Sequence, residues 1–71
     1  MGDVRLLVGA NVKRLRLQRG LTQEQLAEAS GCTQQYLSGL EKGQRNPTIL
    51  SVFHIAEALK ASILDLFEGA A

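Results

Sequence analysis

The stretch LTQEQLAEASGCTQQYLSGLEKG, residues 21–43, decides the fold. Thr22 stands where a helix N-cap belongs, Gln25 three residues on can reciprocate, and Leu21 can staple onto Leu26. The helix so started ends near Ser30-Gly31, where glycine permits the positive φ of a sharp stop. Thr33 then caps another helix, with Cys32 and Leu37 in the staple positions, and that helix stops at Lys42-Gly43. Two short helices joined by about three residues, with glycine in the turn, describe a helix-turn-helix. It occupies about residues 22–42.

Outward from this unit the helical period continues on both sides. Val4, Val8, Val12 and Leu15 form one apolar stripe with Lys13, Arg14 and Arg19 off it, and Gly20 supplies the stop. Leu6, Leu7 and Leu17 lie beside or outside that stripe, which leaves part of the first helix for solvent or a partner. Beyond the polar loop Gln44-Arg45-Asn46-Pro47, Thr48 starts a fourth helix with Ile49, Val52, Phe53, Ala56 and Leu59 on one face. Ser62, with Asp65 three residues on, caps a brief fifth helix carrying Ile63, Leu64, Leu66 and Phe67. Nothing alternates at period two, so no strand is expected. The expected fold is all-α, five helices in a single domain over residues 1–71.

Composition narrows the function classes. Seventy-one residues approach the lower limit for one self-sufficient core, and 45% hydrophobic with 21% charged residues marks a globular chain. One cysteine, Cys32, and one histidine, His54, build neither a disulfide nor a zinc centre, so no metal or cofactor is expected and a reducing, cytoplasmic home is. Cys32 reads as a small apolar residue in the turn. His54, on the outer face of the fourth helix with Leu50 and Glu57, lacks a nucleophile or paired carboxylate, so no enzyme is expected. No apolar run reaches the ~18–20 residues of a membrane span, and Asp3 spoils the start as a signal peptide. The net charge of +1 conceals a pattern: residues 1–20 carry +4, residues 21–41 carry −3, Lys42 and Arg45 add +2, and residues 47–71 carry −2. Two basic clusters of this kind suit an anionic backbone.

In order and spacing the chain resembles the helix-turn-helix family of phage repressors and Cro proteins, the Xre family, over residues 8–67. The resemblance rests on Val12-Lys13-Arg14-Leu15-Arg16 and on Gly20-Leu21-Thr22-Gln23-Glu24-Gln25-Leu26-Ala27. Gly31 and Leu37 continue it, followed by Leu40-Glu41-Lys42-Gly43-Gln44-Arg45-Asn46-Pro47 and Ile55-Ala56-Glu57-Ala58-Leu59. It implies a lambda-repressor-like domain in which a small Ala27 and a bending Gly31 let Leu26, Leu37 and Leu40 lock two helices at a fixed angle. The third helix would then enter the major groove of double-stranded DNA, ~12 Å wide.

Residue roles follow from the resemblance. Gln34 and Gln35 fall at positions of base readout, where an amide matches the N6 donor and N7 acceptor of adenine. Thr33 would reach a phosphate or a thymine methyl, with Ser38 and Gly39 one turn on. Gly39 departs from many relatives, which place a contacting side chain there; a small residue admits a closer approach. Thr22, Gln23, Lys42, Gln44, Arg45 and Asn46 would meet backbone phosphates, and Arg16 with Glu41 would form a partly buried ion pair. The implied function is a transcriptional regulator that binds an operator palindrome as a homodimer, with no small-molecule effector evident. Leu50, Ile63, Leu64 and Phe67 are the expected dimer surface. The bare domain also resembles controller proteins of restriction–modification systems, and an antitoxin or a protein-bridging adaptor of the same fold are the alternative roles.

Overall fold

The computed structural model describes residues 3–69. Four α-helices follow in order: α1 (Val4–Gln18), α2 (Gln23–Ser30), α3 (Gln34–Glu41) and α4 (Ile49–Ala58). A 3-10 helix over Ile63–Phe67 completes the fold, and no strand occurs among the described residues.

Each α-helix is punctuated the same way. Asp3, Thr22, Thr33 and Thr48 are N-caps whose side chains accept a backbone N–H of the first turn. Thr22 and Gln25 complete a reciprocal capping box. Arg5 bonds the Asp3 carboxylate through its side chain and its backbone N–H, and so holds that carboxyl down at about 2. At the other ends the chain folds back through paired bonds: Leu21 N–H to the Arg16 carbonyl, Cys32 to Ala27, Gln44 to Gly39 and Ala61 to Ala56. The left-handed residue this geometry requires is glycine at 20, 31 and 43 and Lys60 (φ 54°) just after α4. Helices this short are marginal alone, so caps and packing together make them persist.

The core is assembled from Val8, Val12 and Leu15 of α1, Leu26 and Ala27 of α2, Leu37 and Leu40 of α3, Val52, Ile55, Ala56 and Leu59 around α4, and Leu66. α1 packs against α3 and the 3-10 helix, and α2 packs against α3 and α4. Two expectations need correction. The fifth helix is not α-helical: Asp65 accepts the Ser62 N–H at 2.9 Å and closes a tighter turn that buries Leu66 alone. The inner face of α4 is Val52, Ile55, Ala56 and Leu59, while Ile49 is 81% exposed and Phe53 also faces outward. Both faces of α4 are apolar, so periodicity could not choose between them; the neighbours α2 and the 3-10 helix do. Val4 is likewise exposed, at the first residue of α1.

Polar ties close the domain. Buried Asn11 donates from its amide to the carbonyls of Leu66 and Glu68, both at 2.9 Å, and fastens the 3-10 helix to α1. Arg19 donates to the Leu59 carbonyl at 2.7 Å, joining the ends of α1 and α4. No buried side-chain polar atom among the described residues lacks a partner.

Gly9, which the sequence reading did not single out, sets the distance between α1 and α3. A Cβ there would strike the Leu40 carbonyl oxygen and come within 2.9 Å of the Glu41 carbonyl oxygen. Backbone cannot yield as a side chain can, so the helices would have to part. Gly9→Ala is expected to cost about 2–3 kcal/mol. In a domain this small each kcal/mol lowers Tm by ~4–8 °C. Thermal unfolding followed by circular dichroism reads the effect, and an unchanged Tm would contradict the close crossing.

Candidate nucleic-acid interface

The first turn of α3 is open to solvent on one side and locked on the other. Leu37 and Leu40 point into the core, Thr33 holds the Tyr36 N–H at 3.0 Å, and the side chains of Gln34 and Gln35 are exposed with no hydrogen bond to the other described residues. Two amides, each a donor and an acceptor, therefore stand free on a rigid helix whose opposite face is fixed. The Tyr36 hydroxyl lies 3.2 Å from the Ser51 hydroxyl, tying α3 to the start of α4.

The chain leaving α3 returns alongside it, because the Gln44 and Gly43 N–H groups bond the Gly39 and Leu40 carbonyls. A shallow concavity results, lined by Gln35, Ser38, Gly39, Lys42, Gln44 and Arg45. Arg45 lies across α3 within it: its guanidinium carbon is 5.6 Å from the Tyr36 ring centre. A Cβ on Gly39 would come within 2.8 Å of Arg45 Nε. Gly39 is therefore buried beneath the Arg45 side chain, which covers the place expected for a base-facing glycine. Ser38 is half-buried in the same wall.

A second concavity lies at the other end, lined in part by Gly20, Thr22, Gln23, Glu24 and Gln34. It sits where α2 begins, and the first N–H groups of a helix favour anions. Asn46 is exposed in the loop before α4 and borders an apolar groove with Pro47, Val4, Ile49 and Phe67, apart from both concavities.

Charge is arranged differently from the expected two clusters. Arg14 pairs with Glu68 at 3.0 Å, Arg19 caps α4, and Arg16 is bound bidentate to Glu41, with Nε to Oε2 at 2.7 Å and Nη2 to Oε1 at 3.1 Å. The Arg16 and Glu41 side chains are 9% and 3% exposed. Most of the first basic cluster thus holds the fold together. Lys42 and Arg45 are the cations beside α3. Distance in sequence hid the contacts of Arg14 and Arg19, whose acceptors lie far along the chain. Gln23 is also tied inward, donating from Nε2 to Glu41 Oε1 at 3.0 Å.

A family model described as helix-turn-helix matches residues 12–66. The chain belongs to the Xre-type helix-turn-helix family. This Xre-type chain is 52% identical over 64 residues to an uncharacterized HTH-type transcriptional regulator, y4dJ, of Sinorhizobium fredii, covering 90% of this chain and 83% of that protein. It is 36% identical over 61 residues to the control protein C.SmaI of Serratia marcescens, covering 86% and 73%. Among solved structures, the controller protein C.AhdI from Aeromonas hydrophila superposes with a TM-score of 0.86 at 36% identity, over 89% of this chain and 96% of that one. The regulator ClgR from Corynebacterium glutamicum gives 0.88 at 34% identity, over 90% and 82%. As an Xre-type protein the chain is a DNA-binding transcriptional regulator. No helix among the described residues is long and apolar enough to cross a membrane, and no group of side chains there is set to hold a metal ion.

Proposed function

We propose that the chain reads an operator in the major groove with α3, as a homodimer on two half-sites. The observation that carries this is the pair of free amides, Gln34 and Gln35, on a helix whose other face is locked into the core. Base contacts fall to Gln34, Gln35, Thr33 and Ser38, with Arg45 lying over Gly39 at the far edge. Phosphate contacts fall to Thr22 and Gln23 at the start of α2 and to Lys42, Gln44 and Arg45 beside α3, with Asn46 at the margin. The two-fold repeat would space the half-sites by one helical turn, ~34 Å. Selection from random duplexes tests the reading: a recovered palindrome supports it, and an unenriched pool overturns it.

The dimer surface rests on exposed apolar side chains of α4 and the 3-10 helix. Leu50 and Leu64 are 63% and 76% exposed, with Phe67 partly so; Ile49 and Phe53 extend the set. Ile63 packs against the core and contributes less to it than expected. Sedimentation of the protein alone is expected to show a dimer that Leu64→Glu dissociates, and a monomer at every concentration would overturn this surface.

Arg45→Ala is expected to weaken binding to operator and to unrelated duplexes alike. The slope of log affinity against log salt should fall by about one unit. A loss confined to the operator would instead make Arg45 a base reader. Restriction–modification controller proteins recur among the structural relatives, which favours a controller role over that of an antitoxin; a toxin gene beside this one would reverse that preference.

A further inference from the structure

One hydrogen bond connects the buried ion pair to the DNA-facing surface. Gln23, the first residue of α2, is half-buried and donates from Nε2 to Glu41 Oε1 at 3.0 Å. The same oxygen takes Arg16 Nη2 at 3.1 Å, and the other takes Arg16 Nε at 2.7 Å. An ionised carboxylate only accepts, so the Gln23 nitrogen must face it and the amide cannot turn over. Among the described residues its second N–H has no partner, and Thr22 caps the Gln25 N–H, leaving the backbone N–H groups of Gln23 and Glu24 without a partner there. Arg16 neutralises Glu41, so the anchor brings no uncompensated negative charge toward a phosphate.

We propose that Glu41 is a positioning residue for DNA-backbone binding: it anchors the Gln23 amide and thereby presets the remaining N–H as a phosphate donor at the start of α2. This rests on Gln23 being a phosphate contact. A glutamine side chain that must be ordered on binding loses rotamer freedom at that moment; one already anchored does not. Glu41 thus does two jobs, holding α1 against α3 and readying a side chain on α2.

The test separates these jobs. Arg16→Met with Glu41→Leu removes anchor and ion pair together without changing net charge, and such apolar replacements commonly keep the fold. Affinity is measured on a mixed-sequence DNA duplex at fixed salt, with Gln23 and with Gln23→Ala. The replaced pair is expected to bind about three- to tenfold more weakly when Gln23 is present, and no more weakly than its parent when residue 23 is alanine. An equal loss in both backgrounds would make Glu41 scaffold alone and overturn the proposal. If Gln23→Ala by itself leaves affinity unchanged, Gln23 is no phosphate contact and the proposal falls, while readout by Gln34 and Gln35 stands on its own test. Should the replaced pair fail to fold, the Gln23 side-chain amide is read directly by nitrogen relaxation in the wild-type protein. A rigid amide supports the anchor, and one as mobile as that of Gln35 overturns it.

Discussion

Glu41→Ala is expected to remove a large share of the stability of the domain. The substitution strands the Arg16 guanidinium in a site where its side chain is 9% exposed, with only the Leu21 carbonyl at 2.9 Å left to receive it. Breaking a buried pair from one side costs about 3–5 kcal/mol. A chain of this length has a total stability of only about 4–10 kcal/mol. Urea denaturation should therefore show a midpoint moved far down or no native baseline at all. The loss reflects the uncompensated charge more than the worth of the pair, so removing Arg16 together with Glu41 is expected to be far milder. If Glu41→Ala unfolded with the wild-type midpoint, the pair would have to be open to water.

The second large effect is on recognition. Gln34→Ala combined with Gln35→Ala is expected to leave the folded domain intact, because both side chains are exposed and neither bonds to the other described residues. Each bidentate amide–adenine contact discriminates by about 1–3 kcal/mol. Loss of both should cut preference for the selected operator by about thirtyfold at the low end and by about twenty thousandfold at the high end. Affinity for a scrambled duplex, which depends on phosphates, should change little. Titration of both duplexes at one salt concentration reads the difference. Equal weakening on the two would remove base readout from these residues.

What was legible in the sequence was local. The threonine caps, the Gln25 box and the stop at Gly31 depend on neighbours within a few positions, and each stands where its own short stretch placed it. What stayed hidden depended on which surfaces meet. The inner face of α4 was misjudged because Ile49 and Phe53 are as apolar as the residues that are buried. Gly9 was passed over because a mid-helix glycine is informative only once α3 is known to cross there. Asn11 carries no local signal for its bonds to the carbonyls of Leu66 and Glu68, and Gln23, expected at a phosphate, gives no local sign that the carboxylate of Glu41 anchors it. The candidate site was therefore legible in its exposed amides and obscure in its supports.

The internal use of Arg14, Arg16 and Arg19 has a consequence for behaviour in a genome. With few mobile cations left to track the duplex, a single copy is expected to dwell only briefly on arbitrary sequence, so that little of the population would be titrated away by chromosomal DNA. In the proposed homodimer two copies must meet before either holds on, so occupancy of a target is expected to rise steeply with the number of molecules made. A regulator built as proposed would work as a counter of its own abundance, silent while scarce and decisive once a threshold is crossed.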